Sequence, residues 1–165
     1  MADILTVVVR YAHILSAILW IGGLGFSVMV LRSAISRVGM PARKETLRQL
    51  IPIANRFIPM AGAWTIGFGA ALYLLMGNFD PSILWGTTWG LDLLVALVLA
   101  SALLAFGILV VRRASERILV HLNEEACTHG PEVGSLQQRY NRGQVVALSW
   151  GLGILGLMVV ATGAL

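Results

Sequence analysis

Four long apolar runs, at 11–31, 57–76, 89–111 and 145–165, constrain this chain more than any other feature; each is 20 to 23 residues long. At about 1.5 Å of rise per residue, each run as a helix crosses a hydrocarbon core of roughly 30 Å. Lipid offers no partner to a bare backbone N–H or C=O, so only helices and closed barrels span it. These runs are far too long for barrel strands. The expected fold is therefore all-α: an integral membrane four-helix bundle forming one domain over 1–165. Hydrophobic residues make up 58% of the chain and charged residues 12%, about half the usual charged share. That leaves no polar stretch large enough for a separate soluble domain.

The surplus of base is not a nucleic-acid signal, because its placement is confined. Of the 12 Lys and Arg, six fall between 32 and 56, five between 112 and 142, one at Arg10 and none between 77 and 88. The positive-inside rule puts both basic loops in the cytoplasm, and so predicts an N-out, C-out, multi-pass protein of the inner (plasma) membrane. The chain opens with Asp3 and no base before Arg10. Its first run also exceeds the apolar core of about 7–15 residues in a signal peptide, so it reads as a retained helix. A lone cysteine, Cys127, gives no disulfide framework.

Helices are expected at about 4–38, 57–77, 89–126 and 143–165. Gly39-Met40-Pro41 breaks the first, and Gly130-Pro131 ends the third. Between the first two lies an amphipathic segment at about 41–51. It reads either as an interfacial helix with its bases at anionic head groups or as a solvated connector. The loop from Gly77 to Trp89 is rich in turn residues, and Trp85 and Trp89 suit an aromatic interface belt. Small residues such as Gly23, Ser27, Ala96, Ala100, Gly151 and Gly156 allow close helix approach, within one monomer or at a dimer face.

Ionisable groups at membrane depth are costly and mark candidate sites. Three occur: Arg10, His13 and Asp92, all near the outer boundary. His13 shares a helix face with Ser16, Trp20, Gly23 and Ser27, at offsets of 3, 7, 10 and 14. Opposite charges held at that boundary should pair, so Asp92 is expected within about 4 Å of Arg10 or His13.

The segment Tyr11-Ala12-His13-Ile14-Leu15-Ser16-Ala17-Ile18-Leu19-Trp20-Ile21-Gly22-Gly23 resembles the first-helix signature of the copper-resistance protein D (CopD-like) superfamily. That group of small bundles takes in HemJ-type protoporphyrinogen oxidases. The similarity continues through Leu47-Arg48-Gln49-Leu50 and a second helix with Gly67, Gly69 and Leu72-Tyr73-Leu74-Leu75. It implies haem b or copper, with His13 as the expected ligand. Helix three departs from the pattern: it begins Trp89-Gly90-Leu91-Asp92 without the lysine that HemJ-type proteins place near the start of a later helix. That departure counts against carrying over the oxidase activity, while haem or metal binding stays within what the resemblance implies.

Imidazole suits iron, copper and zinc, and a thioether suits Cu(I) or haem iron. Met76, at the outer end of the second run, is at a depth to face His13, and Arg10, one turn above, suits haem propionates. His13, Met76, Arg10 and Trp20 are thus the cofactor-binding candidates, and His13, Met76 and Asp92 the metal-binding set. In the plainer alternative, His13 donates to a backbone carbonyl or to Asp92, and Arg10 snorkels to the surface. The trio His121, Cys127 and His129 matches no standard zinc spacing and reads as solvated loop. Thr65, Ser101, Ser149 and Thr162 are expected to bond their own helix or a neighbour.

No nucleophile–base pair, phosphate loop or charge-lined pathway is present to suggest an enzyme. Two roles stay open. One is a cofactor protein handling electrons, haem or copper near the outer face. The other is an accessory subunit packed against a larger membrane complex or a copy of itself.

Overall fold

In the computed structural model, which describes residues 4–123 and 130–161, nearly every described residue is helical and none is in a strand. Helix α1 spans Ile4–Ser36, α2 Met40–Met76, the short α3 Pro81–Gly86, α4 Thr88–Asn123 and α5 Gly130–Ala161. The four long helices each carry a segment apolar enough to cross a membrane. Ile18, Val98 and Leu152 point outward at 62%, 60% and 54% exposure. That outward apolar surface suits lipid, since a soluble protein would bury it. The chain is an all-α, multi-pass four-helix bundle.

Local chemistry sets the ends. The N–H groups of Arg37 and Val38 close onto the carbonyls of Ala34 and Ile35, ending α1. Gly39 then turns extended, and Pro41 sits in the first turn of α2, where its missing N–H costs nothing. After Gly77 the chain reverses through Asn78 and Phe79, both at positive φ (50° and 56°). Asp80 caps α3 by accepting from the Ser82 N–H at 2.8 Å, and Thr87 caps α4 by accepting from the Gly90 N–H at 3.1 Å. Leu84 wedges between Gly77 and Gly90, and the Tyr73 hydroxyl donates to its carbonyl at 2.8 Å.

Around the bundle α1 lies beside α2, α2 beside α4, α4 beside α5, and α5 beside α1; α1 and α4 stand on the diagonal. The central core is Trp20, Leu24, Ala61, Leu103 and Ala147. A second core of Ile51, Ile118 and Leu136 closes the end that carries the basic segments.

Two expectations about element bounds change. The amphipathic segment at 41–51 is not a separate interfacial helix: it is the first part of α2, running on through Pro52 and Pro59. Its apolar side, Leu47 and Ile51, packs on Ile118 and Leu136, and the Arg48 guanidinium donates to the Leu122 carbonyl at the end of α4. Likewise the last helix begins at Gly130 rather than near 143, because Leu136 and Tyr140 pack into that same core. Gly130 and Pro131 thus open α5. Cys127, His129 and Thr162 lie outside the described residues. Thr65 and Ser101 bond the carbonyls of Ala61 and Leu97 in their own helices, as expected.

Candidate functional site

His13 sits on the α1–α2 contact, toward the end of the bundle that carries α3. Its Nδ1 is 2.9 Å from the carbonyl oxygen of Thr65. A carbonyl only accepts, so Nδ1 carries the proton, and in the neutral ring the lone pair lies on Nε2. Metal-ligating histidines are commonly oriented in this way, with one ring nitrogen tied to a carbonyl and the other left as donor.

Gly69 makes room for the bond. A Cβ there would stand 3.0 Å from His13 Cε1 and 3.2 Å from Nδ1, so a larger residue would push the ring away from α2 by a few tenths of an ångström. Two turns, or seven residues, further in, the same arrangement repeats. The Trp20 indole lies against Gly62, where a Cβ would meet Cε2 at 2.8 Å and Leu104 at 3.1 Å. Since α1 and α2 run antiparallel, His13 and Trp20 seat on Gly69 and Gly62, two knobs in two holes at one spacing. Ser16, between them, donates to the His13 carbonyl at 2.9 Å and is buried.

Above His13, the Arg10 guanidinium donates through Nη2 to Met76 Sδ at 3.7 Å. Both side chains are exposed, at the end of the apolar stretch nearest α3. Arg10 and Met76 therefore come together, and His13 lies one turn below Arg10. Trp20 is buried, 4% exposed, in the central core, about 10 Å of helix rise below His13.

Asp92 does not join them. Among the described residues the ion pairs are Arg48–Glu45 and Arg112–Glu116, so the expected pairing of Asp92 with Arg10 or His13 is absent. The reason is topological: Asp92 is on α4, diagonal to α1, while α2 and α5 fill the flanks of His13's helix. No group of three His, Cys, Asp or Glu gathers among the described residues. The trio at 121, 127 and 129 falls largely beyond them.

The plainer expectation, that His13 donates to a backbone carbonyl, holds, but sequence reasoning did not name Thr65 as that carbonyl or Gly69 as the residue beneath the ring. The signal was present in two equal spacings of seven, His13 to Trp20 and Gly62 to Gly69, which match only once α1 and α2 are known to be antiparallel neighbours. It also missed a polar stripe on α5, in which buried Gln144 donates to Tyr140 Oη at 2.9 Å and Gln137 to Asn141 Oδ1 at 3.3 Å.

Fold and site define a class: a multi-pass four-helix membrane protein with a single oriented imidazole between its first two long helices. No protein-family model, curated protein or solved structure matches the chain.

Proposed function

We propose that the protein binds haem b near its outer face through Nε2 of His13, for electron transfer or haem handling. The observation that supports this reading is the Nδ1 bond to the Thr65 carbonyl, which leaves Nε2 as a fixed donor. The donor set favours haem over a bare ion. Haem iron needs few protein ligands, and the Arg10 guanidinium, without a carboxylate partner among the described residues, is placed one turn away to hold a propionate. Copper would rest on the same Nε2 with Met76 alone, since no cluster of further ligands surrounds it among the described residues. When bound, haem supplies a one-electron couple; the chain's part is to orient the imidazole and to counter the propionate charge.

In this reading the basic segments at 32–56 and 112–142 face the cytoplasm. The His13 end then lies across the membrane from them. Purified wild-type protein should show a Soret band that His13→Ala removes while the bundle stays inserted. An alanine variant with the same spectrum as a pigmented wild type overturns the ligand assignment.

The second reading is a non-catalytic accessory subunit. It is favoured by the same hydrogen bond, because an imidazole tied to Thr65 over Gly69 also serves as a plain clamp between α1 and α2. A colourless, metal-free protein that copurifies with a larger complex supports that reading over the first.

A further inference from the structure

A cavity of about 260 Å³ opens among the last turns of α1, the first turns of α2 and the start of α5, at the end that carries the basic segments. Arg32, Ser36, Arg43, Gln137, Asn141 and Gln144 supply its polar wall, and among the described residues no carboxylate lines it. Among the described residues, the guanidinium of neither Arg32 nor Arg43 makes an ion pair or hydrogen bond. Gln137, Asn141 and Gln144 recur at four and three residues, so they share one face of α5. Gln144 is only 5% exposed. Its amide donates to Tyr140 Oη at 2.9 Å and Gln137 donates to Asn141 Oδ1 at 3.3 Å, so the stripe is held in place by its own bonds and keeps carboxamide groups on the cavity wall.

A smaller cavity of about 50 Å³ adjoins the first, with Ala54, Tyr140 and Gln144 lining both. Its other walls are largely apolar, with Trp20, Leu24, Ile58 and Leu103 among them. The backbone is irregular on three sides of these two spaces. A π-helical turn at Ser27–Leu31 faces the larger cavity, and a second at Gly107–Arg112 faces the smaller. In α2, Pro52 and Pro59 each remove a rung, and Pro59 lines the smaller cavity. Irregular backbone at membrane depth persists where it lines a cavity, and π turns recur at functional sites.

Donors without carboxylates select an anion, and the adjoining apolar space selects an amphiphile. The volume is below the roughly 300–1,000 Å³ of pockets that enclose a whole ligand, which suits a head group whose tail stays in lipid. We infer that this chamber binds the phosphate head group of an anionic lipid drawn from the adjoining leaflet, with the phosphate at Arg32 and Arg43 and the carboxamides of α5 around it. This inference stands apart from the His13 reading, because the two sites lie at opposite ends of the bundle.

The test uses the full chain in phosphatidylcholine nanodiscs doped with phosphatidylglycerol, with bound lipid counted by native mass spectrometry after gentle release. One retained phosphatidylglycerol per chain is expected. Replacing both cavity arginines (Arg32→Gln with Arg43→Gln) should weaken retention by about 10- to 30-fold. Replacing Arg113 and Arg117 with Gln, on exposed α4 positions outside the cavity, should change it less than about twofold.

Equal losses in the two variant pairs, or equal retention of phosphatidylcholine, overturn the site. Displacement of the lipid by an equal concentration of inorganic phosphate makes this a free-anion site and overturns the lipid assignment. Should the cavity pair not fold, wild-type protein with a photoreactive-tail phosphatidylglycerol decides the matter. Labelling at Leu24 and Ile58 supports the chamber, and labelling spread evenly over the lipid-facing surface refutes it.

Discussion

The imidazole of His13 approaches a main-chain carbonyl closely over a residue 69 that has no side chain. A methyl group there would sit 3.0 Å from Cε1, so the ring must lift by a few tenths of an ångström and lengthen its 2.9 Å bond. Gly69→Ala is therefore expected to cost about 1–3 kcal/mol and to shift the Nδ1–H resonance of His13. An unchanged resonance would show that the ring does not depend on this glycine. Gly62→Ala meets the rigid Trp20 indole at 2.8 Å and should cost at least as much, while Trp20→Ala, opening a hole in the central core, should cost about 3–5 kcal/mol. Asp92→Asn makes the contrast. Without an ion pair to Arg10 or His13, it should alter stability by no more than about 0.5 kcal/mol in chemical or thermal unfolding, and should leave any cofactor in place.

At the scale of the helices, the chain-end contacts are what the sequence hides. Arg48 donates from Nε to the Leu122 carbonyl at 3.1 Å and so satisfies one of the last carbonyls of α4. Arg48→Met keeps the apolar stem but loses that bond. The expected cost is about 1.5 kcal/mol, the low end for a charged donor, because the side chain is 34% exposed and screened. Faster amide exchange in the last turn of α4 would accompany it. At the other end, the Ser82 hydroxyl and N–H both donate to Asp80 and hold its carboxyl below its ordinary value of 3.8. A depressed carboxyl stabilises α3 at pH values above its unfolded value, and the effect is lost as pH falls through the lower folded value. The Asp80 carboxyl signal in an NMR titration should accordingly have its midpoint below 3.8; a midpoint above that contradicts the cap. The four spans were legible because apolar length is a property of the chain alone. The helical extensions at 40–56 and 130–142 were not, because Ile51, Ile118 and Leu136 find one another only in three dimensions. His13 stood out as an ionisable group at membrane depth, but Asp92 was misplaced because helix order around the bundle cannot be read from hydropathy. The π turns at Ser27–Leu31 and Gly107–Arg112 have no sequence signature either.

For the whole molecule, the bundle order and the charge distribution act together. His13 and Arg10 belong to the end that carries α3, whereas Arg32, Arg43 and the α5 carboxamides belong to the end that carries the basic segments. Orientation in the membrane thus decides which side each site serves. Six basic residues between 32 and 56 and five between 112 and 142, against none between 77 and 88, favour keeping the basic end in the cytoplasm. The bundle reinforces this bias. In α2 the residues from Met40 to Ile51 continue the spanning helix, so Arg43, Lys44 and Arg48 sit directly at its end, within the range where the rule counts charges. Reporters fused after Leu165 or inserted near Asp80 are expected outside the cytoplasm, and reporters near Arg43 and Glu125 inside it. Exchanging Arg32, Arg37, Arg43, Lys44 and Arg48 for Gln removes five of the six bases in the first segment and should mix or invert that pattern. Reporters that read reversed in the wild type would sink the orientation and would move the His13 site to the cytoplasmic face. The helix packing that builds the site would be the same in either orientation, since it depends on Gly62 and Gly69 and not on charge.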